Sequence, residues 1–159
     1  MDIDDAVRGA RLLASDIETS LGFAVHVETG TTDEWRRFAE RTGRPEPKEL
    51  VRVAVPDAGT AAALDPTEPG SATAEEFAME LARILQDDIQ IHIREPWPKD
   101  PTASGRSLEP TERGWQSLAD RAYLVRYGQL GNSADQPESH AYVATDTQLG
   151  FLGGPGRER

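Results

Sequence analysis

The sequence predicts an α+β fold in which long helices pack on a mixed or antiparallel sheet that ends in a C-terminal three-strand meander. Apolar residues recur with helical spacing over two long segments, and shorter segments alternate apolar and polar residues as strands do. A chain of 159 residues is an ordinary length for one domain. We therefore expect a single domain over residues 1–152, with a mobile loop at 57–72 and a disordered tail at 153–159.

The first helix is predicted over residues 3–21. Aspartates at its start suit the helix dipole, and Gly22 stands just past its end. The apolar residues that share one side of this helix are Ile3, Val7, Ala10, Ala14, Ile17 and Leu21. The segment FAVHVET at 23–29 then alternates apolar and polar residues, which predicts a half-buried strand.

A shorter helix and a second strand follow. TTDEWRRFAERTG offers Thr31 and Glu34 as a capping box and Gly43 as a stop, with an inner face of Trp35, Phe38 and Ala39. LVRVAVP places valines on alternate positions before Pro56, which ends the strand.

The segment that begins at Thr73 predicts the longest helix. Thr73 and Glu76 form a second capping box, and Pro96 ends the pattern, so the helix should run to about Arg94. The alternative is that residues 89–94 form a strand, because three β-branched isoleucines alternate there. In the helical interpretation one apolar arc collects Phe77, Ala78, Leu81, Ala82, Ile84, Leu85, Ile89, Ile91 and Ile93.

Two polar residues fall inside that arc. Asp88 and His92 are four residues apart, so on a helix they lie on the same side. A carboxylate and an imidazole belong among apolar side chains only when they hydrogen-bond each other. We therefore expect a structural Asp88–His92 pair, which the strand alternative would abolish.

The C-terminal third predicts short elements. TERGWQSLAD suggests one or two helical turns around Trp115 and Leu118. RAYLVRYGQL, HAYVATD and QLGFLGG then predict three strands between residues 122 and 152.

Composition excludes several classes of function. Twenty-eight acidic and 17 basic side chains give a formal charge of −11, which disfavours direct nucleic-acid binding. With no cysteine, disulfides and thiol chemistry are absent. The start MDIDDAVRGA has no signal-peptide pattern and no long apolar run follows, so we expect a cytoplasmic protein without a membrane segment. Fifteen arginines against two lysines fit a GC-rich bacterial or phage genome.

The three histidines give no recognisable catalytic or metal motif. No two of them share a zinc-binding spacing such as H-E-x-x-H, so no metal and no cofactor is predicted. If the protein is instead a small hydrolase-type enzyme, the candidates are His92 with Asp88 as base and orienting group, or His140 as a lone base.

The segment EPWP places Trp97 between two rigid residues, Pro96 and Pro98. It could present Trp97 to a protein partner as a docking residue. The alternative is that Trp97 folds back and covers the end of the long helix and the core.

The run LARILQDDIQIHIREPWPKDP, with GRSLEP and RAYLVRYGQLG after it, resembles a pattern in small uncharacterised bacterial proteins. The likeness covers residues 77–131. In that pattern a helix leads into Trp-Pro. A cysteine- and histidine-bearing knuckle follows, and then a strand with another cysteine. In this sequence Asp100 occupies the position of the knuckle cysteine, and Arg126 lies near the position of the later cysteine. The histidines of the knuckle are absent. The resemblance therefore implies that a zinc function has been lost.

These observations favour a non-catalytic acidic binding or accessory protein of bacterial or phage origin that acts through a protein partner. An inhibitor or immunity-type protein would cluster its acidic side chains, and its affinity would fall with salt. An assembly subunit would instead expose an apolar patch, around Trp97 or the C-terminal strands. The oligomeric state is not predicted.

Overall fold

A computed structural model describes residues 1–31, 33–43, 49–68 and 70–131. It has helices and antiparallel sheets, which confirms the α+β class. The elements in chain order are α1 (Ile3–Leu21), β1 (His26–Thr29), α2 (Asp33–Thr42), β2 (Val51–Val55), a 3-10 turn (Pro56–Ala58), β3 (Thr60–Leu64), α3 (Ala74–Ile93), β4 (Glu109–Thr111), β5 (Gly114–Gln116) and β6 (Leu124–Val125).

Helix α1 has the predicted bounds. The Asp2 side chain accepts a hydrogen bond from the Asp4 amide at 3.1 Å and so begins the helix. Gly22 ends it in the left-handed conformation at φ 69°. The helix packs closely against α3, since a Cβ atom at Gly9 would collide with the carbonyl oxygen of Ala74. A side chain at Gly9 would therefore separate the two helices.

The first sheet has the order β1-β2-β3, with both pairs antiparallel. Alternation along β2 buries Val51, Val53 and Val55 completely, as the sequence predicts. Strand β1 is shorter than predicted and begins at His26.

Strand β3 corrects the prediction of an unstructured loop over 57–72. Gly59, at φ 64°, turns the chain back so that β3 pairs with β2, with Ala62 opposite Val53. The strand sequence TAAAL has little intrinsic strand preference, because alanine is depleted in strands. Its pairing with β2 supplies the strand structure that local sequence does not indicate.

Helix α3 confirms the helical interpretation, and the strand alternative for residues 89–94 is wrong. The capping box is formed: Thr73 Oγ1 accepts from the Glu76 amide, and Glu76 Oε2 accepts from the Thr73 amide at 3.2 Å. Arg94 ends the helix in the left-handed conformation at φ 58°. One feature of the predicted apolar arc is wrong, because Ile84 and Ile91 are exposed.

The segment around Trp115 forms a hairpin, so the prediction of helical turns there is wrong. Strand β5 pairs with β4 across a tight turn and also with β6, giving a three-stranded antiparallel sheet. Gly114, at φ 131°, lies where a Cβ atom would collide with the carbonyl oxygen of Val125. The positive φ and this close approach of β6 require glycine at the start of β5. Trp115 is fully buried, whereas Leu118 is 51% exposed.

A three-strand meander is therefore present, but its strands lie between residues 109 and 125, whereas the predicted strands lie between residues 122 and 152. Of the three predicted strands, the first is reduced to β6. The other two, and the tail at 153–159, lie outside the described residues. Within the described ranges, no helix combines the length and the apolar character needed to cross a bilayer.

Candidate functional site

The predicted Asp88–His92 pair is not formed. Both side chains are exposed. Asp88 Oδ2 instead accepts a hydrogen bond from Thr60 Oγ1 at 2.6 Å, and the His92 ring meets Phe23 edge-on at 5.8 Å between centroids. Ile89 is the last fully buried residue of α3. Because the side chains of Asp88 and His92 are exposed, water can solvate both, and these two polar groups need not pair.

Among the described residues, the other histidine, His26, does not complete a metal site. His26 is exposed on β1, and His140 lies outside the described residues. Across the described ranges, no three histidine, aspartate or glutamate side chains are grouped so that they could hold a metal ion.

Trp97 folds back onto the core, so it is not a protruding docking residue. It is 3% exposed and donates a hydrogen bond from Nε1 to Ser20 Oγ at 2.9 Å. Its ring packs edge-on against Trp115, with centroids 5.2 Å apart, and Trp115 packs in the same way against Tyr127 at 5.5 Å. Three aromatic rings therefore join the end of α3 to the second sheet.

Gln86 holds the Pro-Trp-Pro segment in place. Its side-chain amide is buried and donates to the carbonyl oxygens of Trp97 at 2.9 Å and Leu108 at 2.8 Å. One turn later, Gln90 accepts from the Trp97 amide at 3.2 Å. In the sequence Gln86 looks like a surface residue of α3, and no sequence pattern marks it as buried.

A groove of about 340 Å³ lies beside this segment. Its walls include Pro96, Trp97 and Pro98 together with Leu108 and Tyr123. Burial, and then the nearby charge of Asp100, raise the pKa of the Tyr123 hydroxyl. The predicted docking residues thus form part of the wall of a groove that also includes the charged Glu95 and Lys99, and the Trp97 ring is turned inward.

The buried Asp100 is the centre of a hydrogen-bonded cluster with buried Ser117 and exposed Thr102. Ser117 Oγ donates to Asp100 Oδ2 at 2.6 Å, and the amide and hydroxyl of Thr102 donate to Oδ1 at 2.8 and 2.7 Å. Burial acts to raise the pKa of Asp100, but the hydrogen bonds from Ser117 and Thr102 outweigh it and lower the pKa. The oxygens of Asp100 are therefore hydrogen-bonded by Ser117 and Thr102, whereas Arg126 is exposed.

Asp16 is a second buried carboxylate and was not singled out in the sequence. It is fully buried on α1 and accepts from Trp115 Nε1 at 2.8 Å and from the Leu130 amide at 3.0 Å. Burial raises the pKa of Asp16, although its hydrogen bonds oppose that change. Its oxygens face donors of the protein itself, which is the arrangement of a structural carboxylate.

The outer side of α3 carries exposed apolar residues. Ile91 is 75% exposed and Ile84 is 46% exposed, and both lie seven residues apart on the same helix. Asp87 and Asp88, also exposed, lie between them in the sequence. We call the surface formed by Ile84, Asp87, Asp88 and Ile91 the isoleucine face. The other large apolar side chain that is exposed in the described ranges is Leu118.

The chain was compared with protein-family models, with curated proteins and with solved structures, and no match was found in any of the three comparisons.

Proposed function

We propose that this chain is a non-catalytic acidic accessory protein of bacterial or phage origin that acts in the cytoplasm through a protein partner. The observation that carries the proposal is the isoleucine face. Two isoleucines one heptad apart are exposed on a helix whose other large apolar residues are buried or partly buried against the core. Folding leaves this apolar surface in water, and binding of a partner would remove it.

The energy available at this face is substantial for a binding site. Complete burial of an exposed isoleucine contributes about 1.5–3 kcal/mol. Ile91 has most of that still to gain, since it is 75% exposed. A stable interface usually buries about 800 Å² on each partner. The isoleucine face would therefore be the centre of a larger contact whose edge includes neighbouring polar residues.

Capture from a lysate of the source organism tests the proposal. A photo-crosslinking amino acid placed at Ile91 should trap a specific protein, whereas the same group at Leu118 should not. Leu118 is the matched control because it is also apolar and 51% exposed. Recovery of the same set of proteins from both positions would contradict the proposal.

Substitution gives the second measurement. Ile91→Asp should remove the captured partner, and Leu118→Asp should retain it. Each change should lower the free energy of unfolding by no more than about 1 kcal/mol, because Ile91 is 75% and Leu118 51% exposed. At position 91 the cost comes from the nearby Asp87 and Asp88 and from the helix dipole. If Ile91→Asp leaves capture unchanged, the partner does not use the isoleucine face.

A further inference from the structure

We infer that the segment that docks on the isoleucine face is a cationic amphipathic helix and is not a second copy of this chain. The inference rests on the proposed function and adds the chemistry of the partner. Two features of the face carry it: the spacing of the two isoleucines and the placement of the two aspartates.

The spacing of the isoleucines fits a helix better than a strand. Ile84 and Ile91 are seven residues apart on α3. At about 1.5 Å of rise per residue, their positions are roughly 10.5 Å apart along the helix axis. On a partner helix, side chains seven residues apart share one face and have the same spacing of roughly 10.5 Å, so two of them can contact both isoleucines. A strand presents side chains on one face at roughly 6.6 and 13 Å, so it would match only one isoleucine at a time.

The aspartates place negative charge on both sides of the isoleucines. At about 100° per residue, Asp87 lies about 50° to one side of the line through Ile84 and Ile91, and Asp88 lies about 50° to the other. The hydrogen bond from Thr60 to Asp88 holds that carboxylate in place and does not neutralise its charge. A partner with apolar residues along one line and cations on both flanks therefore complements this face.

Two of the cations near this face are ion-paired, and a third, the exposed Arg94 that ends α3, lies beyond Ile91. Arg83 is paired with Glu80 at 3.1 Å, and Lys99 is paired with Glu95 at 2.6 Å. These pairs leave the charge of Asp87 and Asp88 available to a partner, which is consistent with the formal charge of −11 for the whole chain.

A second copy would meet this face with like charges. In a parallel pair of α3 helices, Asp87 and Asp88 would lie beside the same residues of the partner. In an antiparallel pair, Ile84 would meet Ile91 of the second chain, and the carboxylates would again line both flanks. Like charges brought together at an interface are destabilising, so the same aspartates that favour a cationic helix oppose self-association.

A pair of synthetic peptides tests the inference with the full chain. The probe is a labelled helical peptide with leucine every seven residues and lysine on both flanks, and its match replaces every lysine by glutamate. Binding is measured by fluorescence anisotropy at physiological salt. We expect the lysine peptide to bind at least about 10-fold more tightly than the glutamate peptide. Asp87→Lys should weaken binding of the lysine peptide about 3-fold, and Glu112→Lys, an exposed carboxylate elsewhere, should leave it unchanged.

Three results would overturn the inference. They are failure of the lysine peptide to bind, equal binding of both peptides, and sedimentation that shows a dimer abolished by Ile91→Asp. Each differs from failure of the proposed function, which is decided by the lysate experiment at position 91. If a partner is trapped at position 91 while both peptides bind equally, the binding role stands. Only the inference that the partner segment is a cationic helix is then contradicted.

Discussion

The N-terminal and C-terminal regions of the described fold are stabilised in different ways. Between residues 3 and 93, two long helices cover a sheet whose inward side chains are valines and alanine, and apolar packing dominates. Between residues 97 and 131 the strands are only two or three residues long. There, buried polar side chains from the helices hold the backbone: Asp16 of α1 accepts from Leu130, and Gln86 of α3 donates to Trp97 and Leu108.

This difference shows how a region with little regular structure becomes specific. A two-residue strand has too few ladder hydrogen bonds to fix its own position. A buried carboxylate or amide on a rigid helix is satisfied only when particular backbone groups face it. The polar side chains of α1 and α3 therefore position the second region, and the apolar core stabilises the first.

The largest expected effect is in the apolar region, at the ring that α3 buries most fully. Phe77 is 1% exposed. Phe77→Ala should lower the free energy of unfolding by about 4 kcal/mol, because it removes apolar burial and leaves a cavity. Urea denaturation measures the change, and Ile84→Ala, at a residue 46% exposed, is the control. Similar losses for the two variants would show that α3 does not pack as described.

A smaller effect is expected for the carboxylate that positions the second region. Asp16→Ala should cost about 3 kcal/mol, because it leaves the buried Trp115 indole and the Leu130 amide without their acceptor. In Asp16→Ala, the increase in the amide exchange rate over the wild-type protein should be larger at Leu130 than in β2. Uniform loss of protection over both regions would contradict the division of roles between them.

The smallest effect is expected at Asp100, and it should depend on pH. Because the pKa of Asp100 is lowered in the folded state, its ionised form stabilises the fold above the ordinary value of 3.8. That contribution is lost as the pH falls through the folded-state pKa. Asp100→Asn should therefore cost about 1 kcal/mol near neutral pH and progressively less in acid. Urea denaturation from neutral to acidic pH measures this difference.

Asp16→Asn is the matched comparison for that pH dependence. Burial raises the pKa of Asp16 above 3.8, so the folded state binds the proton of this carboxyl more tightly than the unfolded chain does. The wild-type protein should lose stability relative to Asp16→Asn as the pH rises from 3.8 through the folded-state pKa. When the free energy of unfolding of each variant relative to the wild type is plotted against pH, the two asparagine variants should give slopes of opposite sign. Slopes of the same sign would contradict the assignment of the two environments.

Local sequence patterns predicted the two long helices well and the chemistry of the surface poorly. The capping box at Thr73 and the glycine after α1 specify helix ends by themselves, since the groups involved lie within a few residues. The isoleucine face was missed because Ile84 and Ile91 continue the apolar arc of α3. A helical wheel shows which residues share a side, but it does not show where the neighbouring elements stop covering that side.

The buried polar groups were missed for a related reason. Asp16 and Gln86 stand in helices among other polar residues, and nothing within one turn distinguishes them from surface side chains. Their partners are far away in the chain, with Trp115 99 residues from Asp16. The EPWP segment could be interpreted either as a docking segment or as a cover for the core, and its contacts with Ser20 and Gln86 decided between them.

The sequence by itself determined the α+β class, the bounds of α1 and the start of α3, because periodicity and capping act over a few residues. The structure decided that α3 continues as a helix through residues 89–93. Only the tertiary structure decided that TAAAL is a strand, that Trp115 lies in a hairpin, that Asp88 binds Thr60 and that Ile91 faces water. Strand pairing and burial depend on which distant segments meet. The surface that a partner can contact is the part that this packing of distant segments leaves exposed.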